Sequence, residues 1–171
     1  MIISSLANQR RVFINVLVIA LWFGLVAGLL EGAGSLALYS LGRMSGVWLE
    51  ILWVSPIFDA LLFAAGSVIL ALAYFIFPRL PIITLAVFLF AFLTFFIYLE
   101  LALLALPWQI HTIALFILSA GVAAVFTRWF RHHQTASFRF WRRSLPVMAA
   151  ITLLVFVGVQ GSFWLLEALH K

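Results

Sequence analysis

Apolar runs long enough to cross a lipid bilayer follow one another through almost the whole of this sequence. A spanning helix needs roughly 20 mostly apolar residues. Segments 12–30, 51–77, 82–106, 108–126 and 145–166 each approach or exceed that length. Inside a bilayer the backbone has no water to bond, so such runs must be helices. The chain has 171 residues, 67% of them hydrophobic and 9% charged, with a mean hydropathy of +1.24. A soluble domain of that size lacks the interior to hide so much apolar surface. The expected fold class is therefore all-α, an integral membrane bundle of five transmembrane helices.

Prolines and charges place the boundaries. Pro78-Arg79-Leu80-Pro81 ends the second span, because proline cannot continue the helical hydrogen-bond ladder. Residues 82–126 would make one helix about twice a bilayer's thickness, so Pro107-Trp108 is read as a tight turn between spans three and four. The Gly- and Ser-rich stretch 32–48 either extends the first helix or lies in the interface. Residues 127–144 are read as a basic loop, with Pro146 in the first turn of the fifth span. Arg10 and Arg11 precede the first apolar run, but that run is too long for a signal peptide, and a retained span is expected. The organisation is then a short N-terminal segment, 1–11, and a single membrane domain, 12–171.

The charges also orient the bundle. Arg10, Arg11, Arg79, Arg128, Arg131, Arg139, Arg142 and Arg143 fall on one side of a five-span chain, leaving Arg43 and Lys171 opposite. The positive-inside rule then puts the N-terminus in the cytoplasm and the C-terminus outside. The cell membrane, a bacterial inner membrane, is the expected location. The net charge of +5 is thus a topology signal and not a nucleic-acid signal. Aromatic residues interleave with Arg128, Arg131, Arg139, Arg142 and Arg143, the arrangement of a segment resting on anionic lipid headgroups. The expected partners are the bilayer and those headgroups, with a membrane-protein partner or a second copy of the chain as further candidates.

All five acids, Glu31, Glu50, Asp59, Glu100 and Glu167, fall toward the opposite side. A carboxylate in lipid costs at least ~2.5–3.5 kcal/mol on insertion scales, so such groups face a neighbouring helix or a wet cavity. Asp59 lies eight residues past Ile51, about 12 Å along the helix. It follows Ser55-Pro56, and the proline frees a backbone carbonyl one turn earlier. Glu31 lies beside Gly24, Gly28 and Gly32, a doubled GxxxG stripe that lets another helix approach closely. The second span, with Ala60, Ala64, Ser67 and Ala71 spaced as a stripe of small residues, is the expected partner. Asp59, Glu31, Ser55 and Glu100 form the candidate intramembrane polar site. Glu50, Glu167 and His111 read as interfacial. There is no cysteine, and the sequence holds no HExxH, GxSxG or phosphate-cradling glycine loop. No catalytic residue, metal site or cofactor is assigned. The adjacent His132-His133 pair is weak grounds for a metal or proton site.

Three segments carry a family resemblance: Trp22-Phe23-Gly24-Leu25-Val26-Ala27-Gly28-Leu29-Leu30-Glu31, Trp53-Val54-Ser55-Pro56-Ile57-Phe58-Asp59, and Arg142-Arg143-Ser144-Leu145-Pro146. In order and spacing they resemble the N-terminal membrane region of bacterial membrane-anchored sulfatase-family proteins. In that family several spans precede an extracytoplasmic hydrolase domain. The resemblance implies a membrane anchor or scaffold and does not carry the family's chemistry. The family's Cys/Ser-x-Pro-x-Arg nucleophile motif has its nearest string at Ser144-Leu145-Pro146-Val147-Met148, with Met in place of Arg and on the wrong side. Its metal-binding aspartates have no counterpart. A small transporter or channel using the outward-side acids and an accessory subunit of a membrane complex are the alternatives.

Overall fold

The computed structural model describes the backbone of residues 2–104 and 111–169, and the side chains of residues 9–104 and 111–162. The described residues form five helices: α1 (Ile2–Ser40), α2 (Ile51–Ile76), α3 (Ile82–Leu104), α4 (Thr112–His132) and α5 (Gln134–Leu169). Each includes a stretch long and apolar enough to cross a membrane. The chain is a multi-pass helical membrane protein. The turn expected at Pro107-Trp108 lies outside the described residues.

Large apolar side chains point outward along most helices. Phe58, Leu61, Ile69, Phe116, Ile117 and Leu154 are all exposed. In water this would be an aggregating surface, whereas lipid tails solvate it without cost. The interior is built instead from α1, which packs on α2 along its length and also touches α3 and α5. Val16, Ile19, Ala20, Phe23 and Ala27 of α1 supply one wall of the core. Ala86, Val87, Phe90 and Ala91 of α3 supply another. Phe63 of α2 stacks on Phe90, with ring centroids 5.3 Å apart.

α1 runs well past the span read from the sequence. Its 39 residues correspond to about 58 Å, against roughly 30 Å of hydrocarbon, so both ends extend beyond the lipid core or the helix tilts. The helix continues through Gly32 and Gly34 because each meets a neighbour there: Ile51 and Leu52 on α2, and Leu101 on α3. It ends in a Schellman cap. Arg43 N donates to Leu38 O (2.9 Å) and Gly42 N donates to Tyr39 O (3.0 Å). Gly42 adopts φ +68°, the left-handed conformation that this cap requires and glycine tolerates.

The segment 127–144 is not a loop, which corrects the sequence reading. α4 continues to His132, and α5 begins at Gln134, leaving His133 alone between them. From Gln134 to Ser144 there is no glycine or proline to stop a helix. Phe138 and Trp141, one turn apart, fold inward onto Phe130. Trp141 is 2% exposed and stacks on Phe130 at 5.2 Å, with Trp22 and Phe23 of α1 packed against it. This aromatic cluster supplies the burial that the arginines do not. Pro146 accordingly lies inside α5 and not in its first turn. Beyond the joint α4 and α5 touch little, and among the described residues of α5 past Pro146 only Thr152 is buried.

Candidate functional site

The antiparallel seam between α1 and α2 positions the polar residues. A Cβ on Gly24 would lie 2.7 Å from Ala60 Cα, and one on Gly32 would lie 3.0 Å from Ile51 O. On Gly28 it would overlap Pro56 and come 2.6 Å from the carbonyl carbon of Ser55. Gly24, Gly28 and Gly32 therefore seat the backbone of α2 directly, as the doubled GxxxG stripe implies. The register pairs 24 with 60, 28 with 56 and 32 with 51–52. Ala60 belongs to the stripe expected in this seam. Pro56 does not.

Helical side chains lean toward the N-terminus of their own helix. In this antiparallel pair, Glu31 leans along the seam toward the level of Asp59, while Asp59 leans back toward Ser55. The three converge. Ser55 Oγ donates to Glu31 Oε2 at 2.6 Å. Asp59 lies one turn beyond Ser55 on α2 and neighbours Glu31 across the seam. Ser55 is buried and Asp59 is 4% exposed. Asp59 Oδ2 has no hydrogen-bond partner among the described residues.

Pro56 contributes twice. Its ring closes the seam against Gly28, and its missing N–H removes the i+4 donor to the Leu52 carbonyl. The neighbouring Trp53 rests edge-on against Phe156 of α5, ring centroids 4.8 Å apart. The polar trio is thus held by α1 and α2, with α5 packed beside it through Trp53.

The arrangement offers two carboxyl groups and a hydroxyl within reach of one another. Two charged carboxyls side by side repel, and a hydrogen-bond donor such as the Ser55 hydroxyl offsets part of that cost. That hydroxyl is committed to the Glu31 carboxylate. Among the described residues no group of three acidic, His or Cys side chains is spaced to hold a metal ion.

Other residues singled out from the sequence lie elsewhere. Glu100 is exposed on α3 and does not join the trio. Glu50 precedes α2, exposed, without capping it through its side chain, and His111 stands in the same relation to α4. The side chain of Glu167 lies outside the described residues. Ala64 is half-buried, while Ser67 is buried and donates to the Ala64 carbonyl within its own helix.

The arginines divide into separate environments. Arg142 Nη2 donates to Asn15 Oδ1 (3.0 Å), tying α5 to α1. Next to it Trp22 Nε1 donates to Ser144 Oγ (2.9 Å). Arg139 and Arg143 line a cavity of about 430 Å³ with Phe140 and Ser144. Arg128 and Arg131 of α4 line another, of about 570 Å³. The two histidines also diverge: His132 lines that larger cavity, while His133 stacks on Trp129 and bonds its carbonyl through Nδ1 (3.1 Å).

No family model, curated protein or solved structure matches this sequence.

Proposed function

We propose that the chain is a non-catalytic membrane anchor and scaffold, of the kind that holds an extracytoplasmic hydrolase of the sulfatase type at a bacterial inner membrane. One observation carries this reading. The three segments that resemble the sulfatase-family membrane region meet in space, and they meet by packing. Residues 22–31 and 53–59 are the two halves of the glycine seam, and the third segment docks on the first through the Trp22–Ser144 hydrogen bond. Motifs whose residues serve mainly to seat helices on one another are those of a structural unit. The basic end, rich in Arg, Trp and Phe, supports an orientation with that end in the cytoplasm.

Asp59 favours a second reading. A buried carboxyl with an unpartnered oxygen beside another carboxyl is also what a proton-coupled transporter would need. The two readings separate in reconstituted liposomes. For an anchor, proton flux equals that of empty liposomes. A flux that disappears in Asp59→Asn would replace the anchor with a transporter. An alkaline phosphatase reporter fused after residue 171 should be active and stay in the membrane fraction through an alkaline carbonate wash. Inactivity there would reverse the orientation.

A further inference from the structure

The cavity of about 570 Å³ at the basic end is lined by Thr84, Ala124, Thr127, Arg128, Arg131 and His132. Its α4 residues are not scattered. Ala124, Thr127, Arg128 and Arg131 follow the i, i+3, i+4, i+7 spacing of a single helix face. That face looks across to Thr84, in the first turn of α3, where backbone N–H groups lack intrahelical acceptors and the helix dipole is positive. The Thr127 hydroxyl already donates to the Ala123 carbonyl (2.7 Å), which leaves Thr84 to supply a hydroxyl donor. Two guanidinium groups, an imidazole, a hydroxyl and a helix start therefore border one cavity.

Nothing nearby offsets this charge. None of the lining residues is acidic. The sequence has no Asp or Glu between Glu100 and Glu167. Glu100 itself is sixteen residues beyond Thr84 on α3, about 24 Å along the helix axis. Ala124 adds an apolar patch to the lining. The cavity volume falls in the range of small-molecule sites. A tetrahedral, doubly hydrogen-bonding anion suits this donor set, because guanidinium groups bond phosphate oxygens in pairs.

We propose that this cavity is a discrete phosphate-binding site, formed by Arg128, Arg131, His132 and Thr84, for the phosphate of an anionic phospholipid or of a soluble phosphate ester. The site is distinct from Arg139 and Arg143, which line a different cavity on α5, and from Arg142, which is bonded to Asn15. It stands whether or not the chain is an anchor.

The test uses the full chain in mild detergent, titrated with phosphatidylglycerol, phosphatidylcholine or inorganic phosphate. Binding is read by native mass spectrometry and by thermal shift. Phosphatidylglycerol should bind saturably, and phosphatidylcholine at least tenfold more weakly. The double variant Arg128→Gln/Arg131→Gln should lose about tenfold or more in affinity, as expected when charged hydrogen bonds are removed. Arg139→Gln/Arg143→Gln should bind as the parent does. Thr84→Val, which leaves the charge intact, should weaken binding severalfold.

If inorganic phosphate at millimolar concentration displaces the lipid, the site takes soluble phosphate esters too. If it does not, the lipid is the ligand. Either result sustains the site. Equal loss in the two arginine double variants would mean diffuse charge attraction and would overturn it, as would unchanged binding in Arg128→Gln/Arg131→Gln.

Discussion

Replacing Gly28 by alanine adds one methyl group at the tightest point of the α1–α2 seam. That methyl would overlap Pro56 and lie 2.6 Å from the Ser55 carbonyl carbon, against 3.4–4 Å for ordinary contact. The obstruction is backbone, and the proline ring cannot rotate aside. The helices must separate by about 1 Å, a gap that forfeits a quarter to a half of each dispersion contact along the seam. Overpacking of this kind costs about 1–3 kcal/mol. The separation also stretches the 2.6 Å Ser55–Glu31 hydrogen bond toward the limit of a useful interaction, a further loss of about 1–2 kcal/mol. The expected destabilisation is about 2–5 kcal/mol, and Gly28→Leu should fail to fold. The internal controls are Gly121 and Gly158, where an added methyl meets nothing within 4 Å. Alanine there should be neutral or stabilise by up to about 1 kcal/mol through helix propensity. Thermal unfolding in detergent, followed by loss of the monodisperse elution peak, compares the three variants. If Gly28→Ala melts together with Gly121→Ala and Gly158→Ala, the seam is not close-packed as described.

Other perturbations test neighbouring contacts. Ser55→Ala removes the donor to Glu31 Oε2 and should cost about 1–3 kcal/mol by the same melting assay, and no loss would mean that the bond does not stabilise the seam. Asp59→Asn places an amide donor beside Glu31, so its thermal stability should equal or exceed that of the parent, and a clear loss would argue against the two side chains being neighbours. Trp141→Ala empties the centre of the aromatic cluster and should cost about 3–5 kcal/mol, with faster proteolysis near His133 as a second readout. Proteolysis at the parent rate would indicate that the cluster does not hold the α4–α5 joint.

Some of these features are legible in the sequence and others are obscured for identifiable reasons. Gly24, Gly28 and Gly32 announce a close approach because only glycine repeats at that spacing so readily serve one. Which residues of α2 sit opposite them depends on register, and a single sequence does not encode register in any short pattern. Hence the small-residue stripe points to Ala60 and passes over Pro56. Glu31 and Asp59 each read as lying on a packing face, but their convergence depends on the antiparallel lean of the two side chains as well as on that register. The helical start of α5 is hidden because arginines interleaved with aromatics resemble an interfacial loop. The inward spacing of Phe138 and Trp141 is present, but its partners Phe130 and Trp22 are fixed by tertiary packing. In α1, Gly32 and Gly34 lower local helix propensity, and contacts with α2 and α3 override it.

The adjacency of the two seam helices in the chain bears on how the protein enters the membrane. Glu31 and Asp59 each oppose partition into lipid when taken singly. Because α2 follows α1 after a link of only ten residues, 41–50, the second helix can find its counterpart as soon as it enters the membrane, ahead of α3. Insertion of α2 thus becomes cooperative with α1: the earlier segment shelters the later one's acid from the hydrocarbon. Residues 41–81 should accordingly integrate into membranes less efficiently alone than residues 1–81 do, and equal integration would show that the two helices insert independently.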